Sequence, residues 1–496
     1  FDPVKANRIY NDYLDLLELA EDVGYDGLGI NEHHQNAYGL MPSPQLMAST
    51  LARRTHRASI LLLGQSLALY DPPTRVAEEM AMIDCISGGR LISGFPVGSS
   101  MDDNYACGVN PATLREKYHE AHDLVRRAWS DPDVFAWNGK HYKLRYVNLW
   151  PRPIQNPPPI WIPGGGSLET WDFCAANRYN YSYLSFSGYV RGAQLMQGFW
   201  QRMEELGQDF NPYQATFAQQ ICIAETDAEA KRLYEKHARY FFSRCLHVHP
   251  GFADAPGYRT EPTIRAGLAS QMAGQSSALN QAAALSWEEM IEKGYIVAGS
   301  PDSVAEQIDS VAKSLKVGHL VCLLHFGDMP NELCQYSTKL FAEKIIPQMR
   351  GMWKDYEDHW SPKPMAAEDR AIPRVVTRRN RSPLLPRRQG RTVTVPAPPH
   401  GHRRHGAGIG EARGTLRRDC ALRARLGSGK RPARASGRWP ARSRAAHDRC
   451  ARCARDRTRA RVRHQHRCVD GGGTRRNRAA TRVASRPRQP DRPVAR

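Results

Sequence analysis

The chain has 496 residues, and its 70 Lys and Arg against 50 Asp and Glu give a formal net charge of +20. The excess is confined to one end, because residues 1–365 hold 33 basic and 42 acidic side chains and residues 366–496 hold the other 37 and 8. The acidic balance of residues 1–365 excludes a basic nucleic-acid binder. Their cysteines are scattered singly, which excludes a disulfide scaffold. The absence of an apolar run of about 18 residues excludes a membrane span.

The first part of the chain alternates between helix and strand patterns. The segment FDPVKANRIYNDYLDLLELAEDVG predicts an amphipathic helix, with Asp2 placed to cap it and Pro3 in its first turn. Short apolar strands are predicted at YDGLGIN, ASILLLGQSLAL and RLISGFPVG, separated by helices at SPQLMASTLARRT and PTRVAEEMAMIDCIS. Apolar strands without strict alternation are typical of a sheet that is buried on both faces.

The alternation continues after a helix at ATLREKYHEAHDLVRRAW and is interrupted twice. Residues 131–158 predict a small hairpin followed by a Pro-rich return, and residues 250–285 form a long segment rich in Ala, Gly, Ser and Gln. Between and after these insertions, four more strands are predicted at PIWIPGG, NYSYLSF, ATFAQQICIAE and GHLVCLLHFG, which makes seven in all. Long insertions often cover active sites, and we expect the second one to close over the substrate.

Regular helix–strand alternation predicts a parallel α/β sheet with right-handed crossovers. Because the chain starts in a helix, a strand before Phe1 would bring the number of strands to eight. We therefore predict that residues 1–350 form a (β/α)8 TIM barrel that lacks its first strand at the N-terminus, with a doubly wound open sheet as the alternative. Residues 351–365 are predicted to be a linker. The chain shows no signal peptide at its start, and we expect a cytoplasmic protein.

The Arg-rich tail, residues 366–496, has one aromatic residue, Trp439, and one lysine, Lys430. Without apolar periodicity it cannot bury enough surface to fold, so we predict a disordered segment. An excess of Arg, Pro, Ala and Gly is typical of GC-rich DNA read in a shifted frame, and we interpret the tail as frame-shifted or unselected. An arm that binds nucleic acid is the less favoured interpretation.

Three polar residues, Glu32, His33 and His34, stand where the strand YDGLGIN ends. In a barrel, the carboxyl ends of the strands line the active site. Neighbouring residues of a strand point to opposite sides, so the two histidines should not bind one metal ion, and the HExxH zinc motif is absent. No metal site is predicted. Spacing alone leaves two interpretations open: one histidine is a general acid or base in the pocket, or both hold a loop.

The segment WIPGGGSLETW runs from an apolar strand through Gly164, Gly165, Gly166 and Ser167 into a predicted helix. Glycines let backbone amides approach a ligand closely, and a helix N-terminus favours an anion. The segment predicts a phosphate site, although neither the Walker nor the dinucleotide motif is present. A Gly-rich turn without a ligand is the alternative. In RLISGFPVG, Gly94 leaves room at a strand end for a flat ring, and tight packing is the alternative explanation.

Five segments carry a family resemblance in chain order: GYDGLGINEHH, RRTHRASILLLG, PTRVAEEMAMIDCISGGRL, PRPIQNPPPIWI and GSPDSVAEQI. Over residues 1–350 the chain resembles the bacterial luciferase-like family of flavin-dependent monooxygenases. The resemblance implies a TIM barrel, usually a homodimer, that receives reduced FMN from a separate flavin reductase and activates O2. It further implies oxygenation of a small apolar organic substrate through a peroxyflavin.

The resemblance also implies roles for single residues. It places His33 beside the flavin as the acid/base group, with Glu32 orienting the local network. It assigns binding of the flavin phosphate to Gly164, Gly165, Gly166 and Ser167. We add Ser66 and Gly94, at two neighbouring predicted strand ends, as further candidates for cofactor binding.

The chain departs from luciferase at two positions in the segment RLISGFPVG. Val97 stands where luciferase has an arginine that helps to bind phosphate, and Pro96 stands where it has a reactive cysteine. A non-prolyl cis peptide, frequent in the family, would fall near Ser66–Leu67. A second hypothesis keeps the fold but uses a deazaflavin coenzyme for hydride transfer, and a third is nucleic-acid binding by the tail.

Overall fold

A computed structural model describes residues 2–371, with the exception of residues 37, 99–100 and 185–187 and most of residues 247–281. Within 247–281 the described residues are 257–261, 264–265 and 268. Almost the whole of the Arg-rich tail and most of the predicted lid, 250–285, therefore lie outside the described residues. No helix in the described ranges is long and apolar enough to cross a membrane.

The elements alternate as the sequence predicts. The strands are β1 (Gly27–Ile30), β2 (Ser59–Leu63), β3 (Leu91–Gly94), β4 (Phe135–Asn138), β5 (Lys143–Val147), β6 (Ile160–Gly164), β7 (Asn180–Leu184), β8 (Ala215–Ile223), β9 (Ile296–Gly299) and β10 (His319–Leu323). The helices are α1 (Pro3–Val23), α2 (Pro44–Arg54), α3 (Thr74–Ser87), α4 (Met101–Ala106), α5 (Leu114–Ser130), α6 (Leu168–Asn177), α7 (Tyr189–Glu205), α8 (Asp227–Tyr240), α9 (Trp287–Glu292), α10 (Pro301–Leu315), α11 (Asn331–Lys344) and α12 (Ile346–Met349).

The main sheet has eight parallel strands, of which seven run in the order β1-β2-β3-β6-β7-β8-β10 and are the seven that the sequence predicts. The sheet curls into a nearly closed barrel with the helices around it, which confirms the predicted TIM-barrel fold. An additional strand, β9, pairs with the carboxyl-terminal part of β8. It was not predicted because its four residues, IVAG, are too few to give a strand pattern between two helices. The predicted hairpin of the first insertion is present as β4 and β5.

The barrel is open along one seam. Among the described residues, β1 pairs only with β2, and β10 pairs only with β8. Gly27 and Gly29 of β1 are exposed at this seam, all five residues of β10 are only partly buried, and α1 has no buried residue. The seam lies where a further parallel strand would complete the barrel, which confirms the prediction of a barrel that lacks one strand.

The residues predicted to be a linker, 351–365, instead pack across the amino ends of the barrel strands. Trp360 is only 7% exposed, and its carbonyl accepts a hydrogen bond of 2.8 Å from the Trp161 indole. Trp353 donates to the Val317 carbonyl just before β10. Two tryptophans give this segment enough surface to bury, which explains why it is ordered against the barrel.

Candidate active site

One cavity of about 2050 Å³ extends from the carboxyl ends of the strands into the barrel and reaches the open seam. It brings together the two motifs that the sequence singles out, although they are separated by more than a hundred residues. The predicted site residues that line it are Glu32, His33, Ser66, Gly164, Gly165, Gly166 and Ser167.

Gly94 is a predicted cofactor residue that does not line this cavity. A Cβ atom at Gly94 would lie 2.3 Å from the carbonyl oxygen of Leu62, so the glycine allows β2 and β3 to approach closely. Strand packing accounts for Gly94 without a ligand. The predicted cis peptide near Ser66–Leu67 is wrong, because the cis bonds in the described part of the chain all precede proline.

A compact turn positions His33 at the end of β1. The His33 amide donates to the Met41 carbonyl at 3.1 Å, and the Asn36 side-chain oxygen accepts the amides of Tyr38 and Gly39. Asn commonly forms such turns because its side chain imitates a backbone carbonyl. The turn brings the Tyr38 ring edge-on to the His33 ring, with centroids 4.4 Å apart.

Asp103 lies beside His33 and was not predicted. Its Oδ2 is 3.3 Å from Nδ1 of His33, an ion-pair distance, although the two atoms are not aligned as a hydrogen bond. Its Oδ1 accepts the His34 amide at 2.5 Å, and the Asp103 side chain is only 8% exposed. The segment MDDNYACG contains no pattern that marks this aspartate, since its partner is distant in sequence.

Glu32 is buried beneath the cavity wall and accepts three hydrogen bonds. Nε2 of His34 lies 3.0 Å from Oε1, the Tyr70 hydroxyl bonds the same oxygen, and the Ser66 amide donates to Oε2 at 3.1 Å. These donors compensate for the burial of the carboxylate. The hydrogen bond to Glu32 raises the pKa of His34, against the opposing effect of burial. His33 lines the cavity whereas His34 does not, so the two side chains diverge as strand geometry predicts.

The Gly-rich segment forms the start of α6. Ser167 caps the helix, its Oγ accepts the Thr170 amide, and the two hydroxyl oxygens lie 2.7 Å apart. Gly166 has a φ of 109°, and a Cβ there would lie 2.3 Å from Leu195 Cδ1, so only glycine fits. Two hydroxyls beside the first turn of a ten-residue helix suit an anion.

Arg115, at the start of α5, supplies a cation on the same cavity. Its Nε and Nη1 atoms are buried and make no hydrogen bond to the described residues. Residues 257–260 connect the start of α5 with the start of α6. Gly257 packs on Ala112, just before α5, and the Thr260 hydroxyl bonds Glu169 in the first turn of α6. Buried donors without partners are costly, and a guanidinium group in this position could hold an anion.

Sequence reasoning missed Arg115 and Thr170. One signal could have pointed to a cation. Val97 stands where luciferase has an arginine that helps to bind phosphate, so a phosphate in this chain would need another positive group. In the structure Val97 is only 7% exposed and contributes an apolar surface to the cavity.

The remaining walls of the cavity are largely apolar. Leu63, Trp161, Tyr183, Leu195 and Phe241 contribute side chains to them. The described residues contain no group of three or more His, Cys, Asp or Glu side chains that could hold a metal ion. The arrangement can therefore bind an anion at one end, enclose a flat apolar ring and present an imidazole to it.

Comparisons with known proteins identify the family of the chain. The model of the family described as luciferase-like monooxygenase matches residues 3–316. Limonene 1,2-monooxygenase of Rhodococcus erythropolis is 23% identical over 70% of this chain and 83% of that protein. An F420-dependent glucose-6-phosphate dehydrogenase of Kineococcus radiotolerans is 29% identical over 35% of this chain and 52% of that protein.

A solved structure gives the same fold. The oxygenating constituent of 3,6-diketocamphane monooxygenase from Pseudomonas putida, in complex with FMN, has a TM-score of 0.56 and 20% identity. The match covers 69% of this chain and 94% of that one. At this identity the likeness shows the barrel fold alone.

Proposed function

The chain belongs to the luciferase-like monooxygenase family, and from this membership we propose that it is a flavin-dependent monooxygenase that uses reduced FMN and O2 to oxygenate a small apolar organic molecule. The observation that carries the proposal is the candidate anion site. Nε and Nη1 of Arg115 are buried, have no hydrogen-bond partner in the described part of the chain, and belong to the same cavity lining as Ser167 and Thr170. A terminal phosphate fits such a site.

In this proposal the residues of the chain bind and orient the cofactor. Ser167, Thr170, the first amides of α6 and Arg115 would hold the phosphate. The ring would extend from this site towards His33, between the apolar walls. When bound, the reduced flavin supplies the electrons and the reaction with oxygen.

His33 is the residue we assign to proton transfer. The carboxylate of Asp103 beside Nδ1 favours a proton on that nitrogen, which leaves Nε2 as the atom to accept or donate a proton in the cavity. Glu32 does not reach the ring of His33 in the structure. It holds His34 and Ser66, so its proposed role is to orient the site.

The apolar walls have two proposed consequences. They exclude water from the reacting group, and they select an apolar substrate. A separate flavin reductase would supply reduced FMN, in agreement with the description of the 3,6-diketocamphane relative as an oxygenating constituent. We further propose a cytoplasmic homodimer, as in the resembled family.

The direct test combines the purified chain with NADH, FMN, a flavin reductase and a panel of small ketones, aldehydes and terpenes under 18O2. We expect one 18O atom in the product, and no product when the chain or the reductase is omitted. Product that forms without label incorporation, or no product with any member of the panel, would count against the proposal.

A second candidate is supported by the F420-dependent relative. In that case the chain would bind a deazaflavin coenzyme and transfer hydride without oxygen. Titrating FMN and F420 separately into the protein, and then assaying under argon, distinguishes the two functions. Binding of F420 with turnover under argon would favour the second candidate.

A further inference from the structure

Tyr70 lies just outside the cavity, after the short turn Leu67–Leu69. Its hydroxyl bonds Oε1 of Glu32, the same oxygen that Nε2 of His34 contacts at 3.0 Å. Burial, followed by the proximity of Glu32, raises the pKa of Tyr70 far above its usual value. The phenol therefore remains a neutral donor over the whole pH range in which the protein would work.

Hydrogen bonds link Glu32, which follows β1, to residues that follow β2 and β3. Oε2 of Glu32 accepts the Ser66 amide after β2, and the Ser66 hydroxyl donates to the Val97 carbonyl after β3 at 3.2 Å. Ser66 and Val97 both line the cavity. The Tyr70 hydroxyl thus stands at the start of a hydrogen-bond series that sets the position of part of the cavity wall.

We infer that Tyr70 is a positioning residue for the candidate active site: its hydroxyl, bonded to Glu32, holds the carboxylate that in turn holds His34 and the backbone at Ser66. The catalytic consequence rests on the proposed monooxygenase function, whereas the contact itself does not. A buried carboxylate that loses one of its donors rotates towards other partners, and the residues it holds move with it.

Three other titratable groups face this set among the described residues. Asp103 accepts the His34 amide, the thiol of Cys107 lies near Glu32, and the carboxylate of Glu79 acts on Tyr70. Tyr142 provides a matched control, because its ring is buried and its hydroxyl donates to the Tyr70 carbonyl at 3.3 Å without reaching Glu32. Tyr70→Phe and Tyr142→Phe each remove one buried hydroxyl and leave the ring in place.

The first test needs no activity: it follows the imidazole of His34 by NMR titration in the apoprotein. The hydroxyl proton of Tyr70 offsets part of the charge on Oε1, so Tyr70→Phe should raise the pKa of His34 further. Glu32→Gln should lower it towards the ordinary value, and adding Tyr70→Phe to Glu32→Gln should then change nothing. Tyr142→Phe should resemble the wild type. An unchanged His34 titration in Tyr70→Phe overturns the inference.

The second test measures oxygenated product per NADH consumed. We expect Tyr70→Phe to lower the yield and kcat by about 10-fold, the scale of one lost hydrogen bond, with the affinity for FMN unchanged. In a Glu32→Gln background the same substitution should have no further effect. If the two losses multiply instead, Tyr70 acts by another route and the inference is wrong. If the wild type makes no product, the proposed function fails while the NMR titration still decides the role of Tyr70.

Discussion

Nδ1 of His33 lies 3.3 Å from Oδ2 of Asp103, although the two residues are distant in sequence, one after β1 and the other in α4. The carboxylate is almost completely buried, so its field at the imidazole is little screened by solvent. In the proposed function, this pair orients His33 and favours the tautomer that carries a proton on Nδ1. The predictions for the active site start from this relationship.

Replacing His33 with alanine should abolish most oxygenation while leaving the fold intact. We expect product formation to fall by about 100-fold or more, because proton transfer by a positioned side chain contributes at least that much. FMN affinity and the thermal unfolding midpoint should stay close to wild type. His56→Ala, at an exposed site away from the cavity, is the control. Unchanged turnover in His33→Ala would remove His33 from the mechanism.

Asp103→Asn keeps the shape of the side chain and removes its charge. We expect kcat to fall by roughly 10-fold with little change in KM, since the substitution alters the tautomer of His33 and not the walls of the cavity. A second histidine–aspartate pair, His122 and Asp123 at 3.0 Å, does not line the cavity and offers a matched control. Equal effects of Asp103→Asn and Asp123→Asn on kcat would contradict this assignment.

The anion site can be tested by comparing two ligands. Arg115→Met should weaken FMN binding by about 10-fold or more, the scale of a charge-assisted hydrogen bond, and should leave riboflavin binding unchanged because riboflavin has no phosphate. Arg126→Met, on the same helix, controls for loss of charge. Fluorescence titrations of FMN and of riboflavin into the wild type and into both variants measure these affinities. A parallel loss for FMN and riboflavin would mean that Arg115 does not contact the phosphate.

Asp358 makes the segment at the bottom of the barrel sensitive to acid. Burial alone would raise its pKa, but the imidazole of His319, 3.5 Å away, and the hydrogen bonds from the Ser361 and Trp360 amides outweigh burial and lower the pKa to about 2. A carboxylate with a lowered pKa stabilises the fold above its ordinary pKa, and that stability is lost as the pH falls through about 2.

The corresponding variant is Asp358→Asn. Its free energy of unfolding should be below that of the wild type at pH 5–7, and the difference should shrink as the pH falls from about 4 towards 2. Denaturant titrations at a series of pH values, read from tryptophan fluorescence, measure this. A difference that stays constant down to pH 2 would show that the charge of Asp358 is not responsible.

The sequence predicts the seven strands of the main sheet because each is a short apolar run between amphipathic helices, a local property. It also predicts the turn from Gly164 to Ser167 that leads into a helix, because Gly166 supplies backbone freedom and Ser167 caps the helix. Both features depend on residues that are adjacent in the chain. The divergence of His33 and His34 follows equally from local strand geometry.

Features that depend on tertiary contact could not be predicted in this way. Asp103 and Arg115 become recognisable only when α4 and α5 are placed over the barrel mouth. Gly94 looked like a ligand residue, but only the distance to the neighbouring strand reveals its packing role. Residues 351–365 pack against the barrel because Trp360 buries its surface there, and the composition of the segment does not show where a tryptophan packs.

The open seam has a consequence for local opening of the barrel. β1 and β10 each have a paired neighbour on one side only among the described residues, so their outward backbone groups have no ladder to hold them. Their amides should exchange with solvent deuterium before those of the central strands β3, β6 and β7, and the order of exchange would run inwards from the seam. Free strand edges also pair readily with other chains, so the seam is the part of this barrel from which association at high protein concentration would begin.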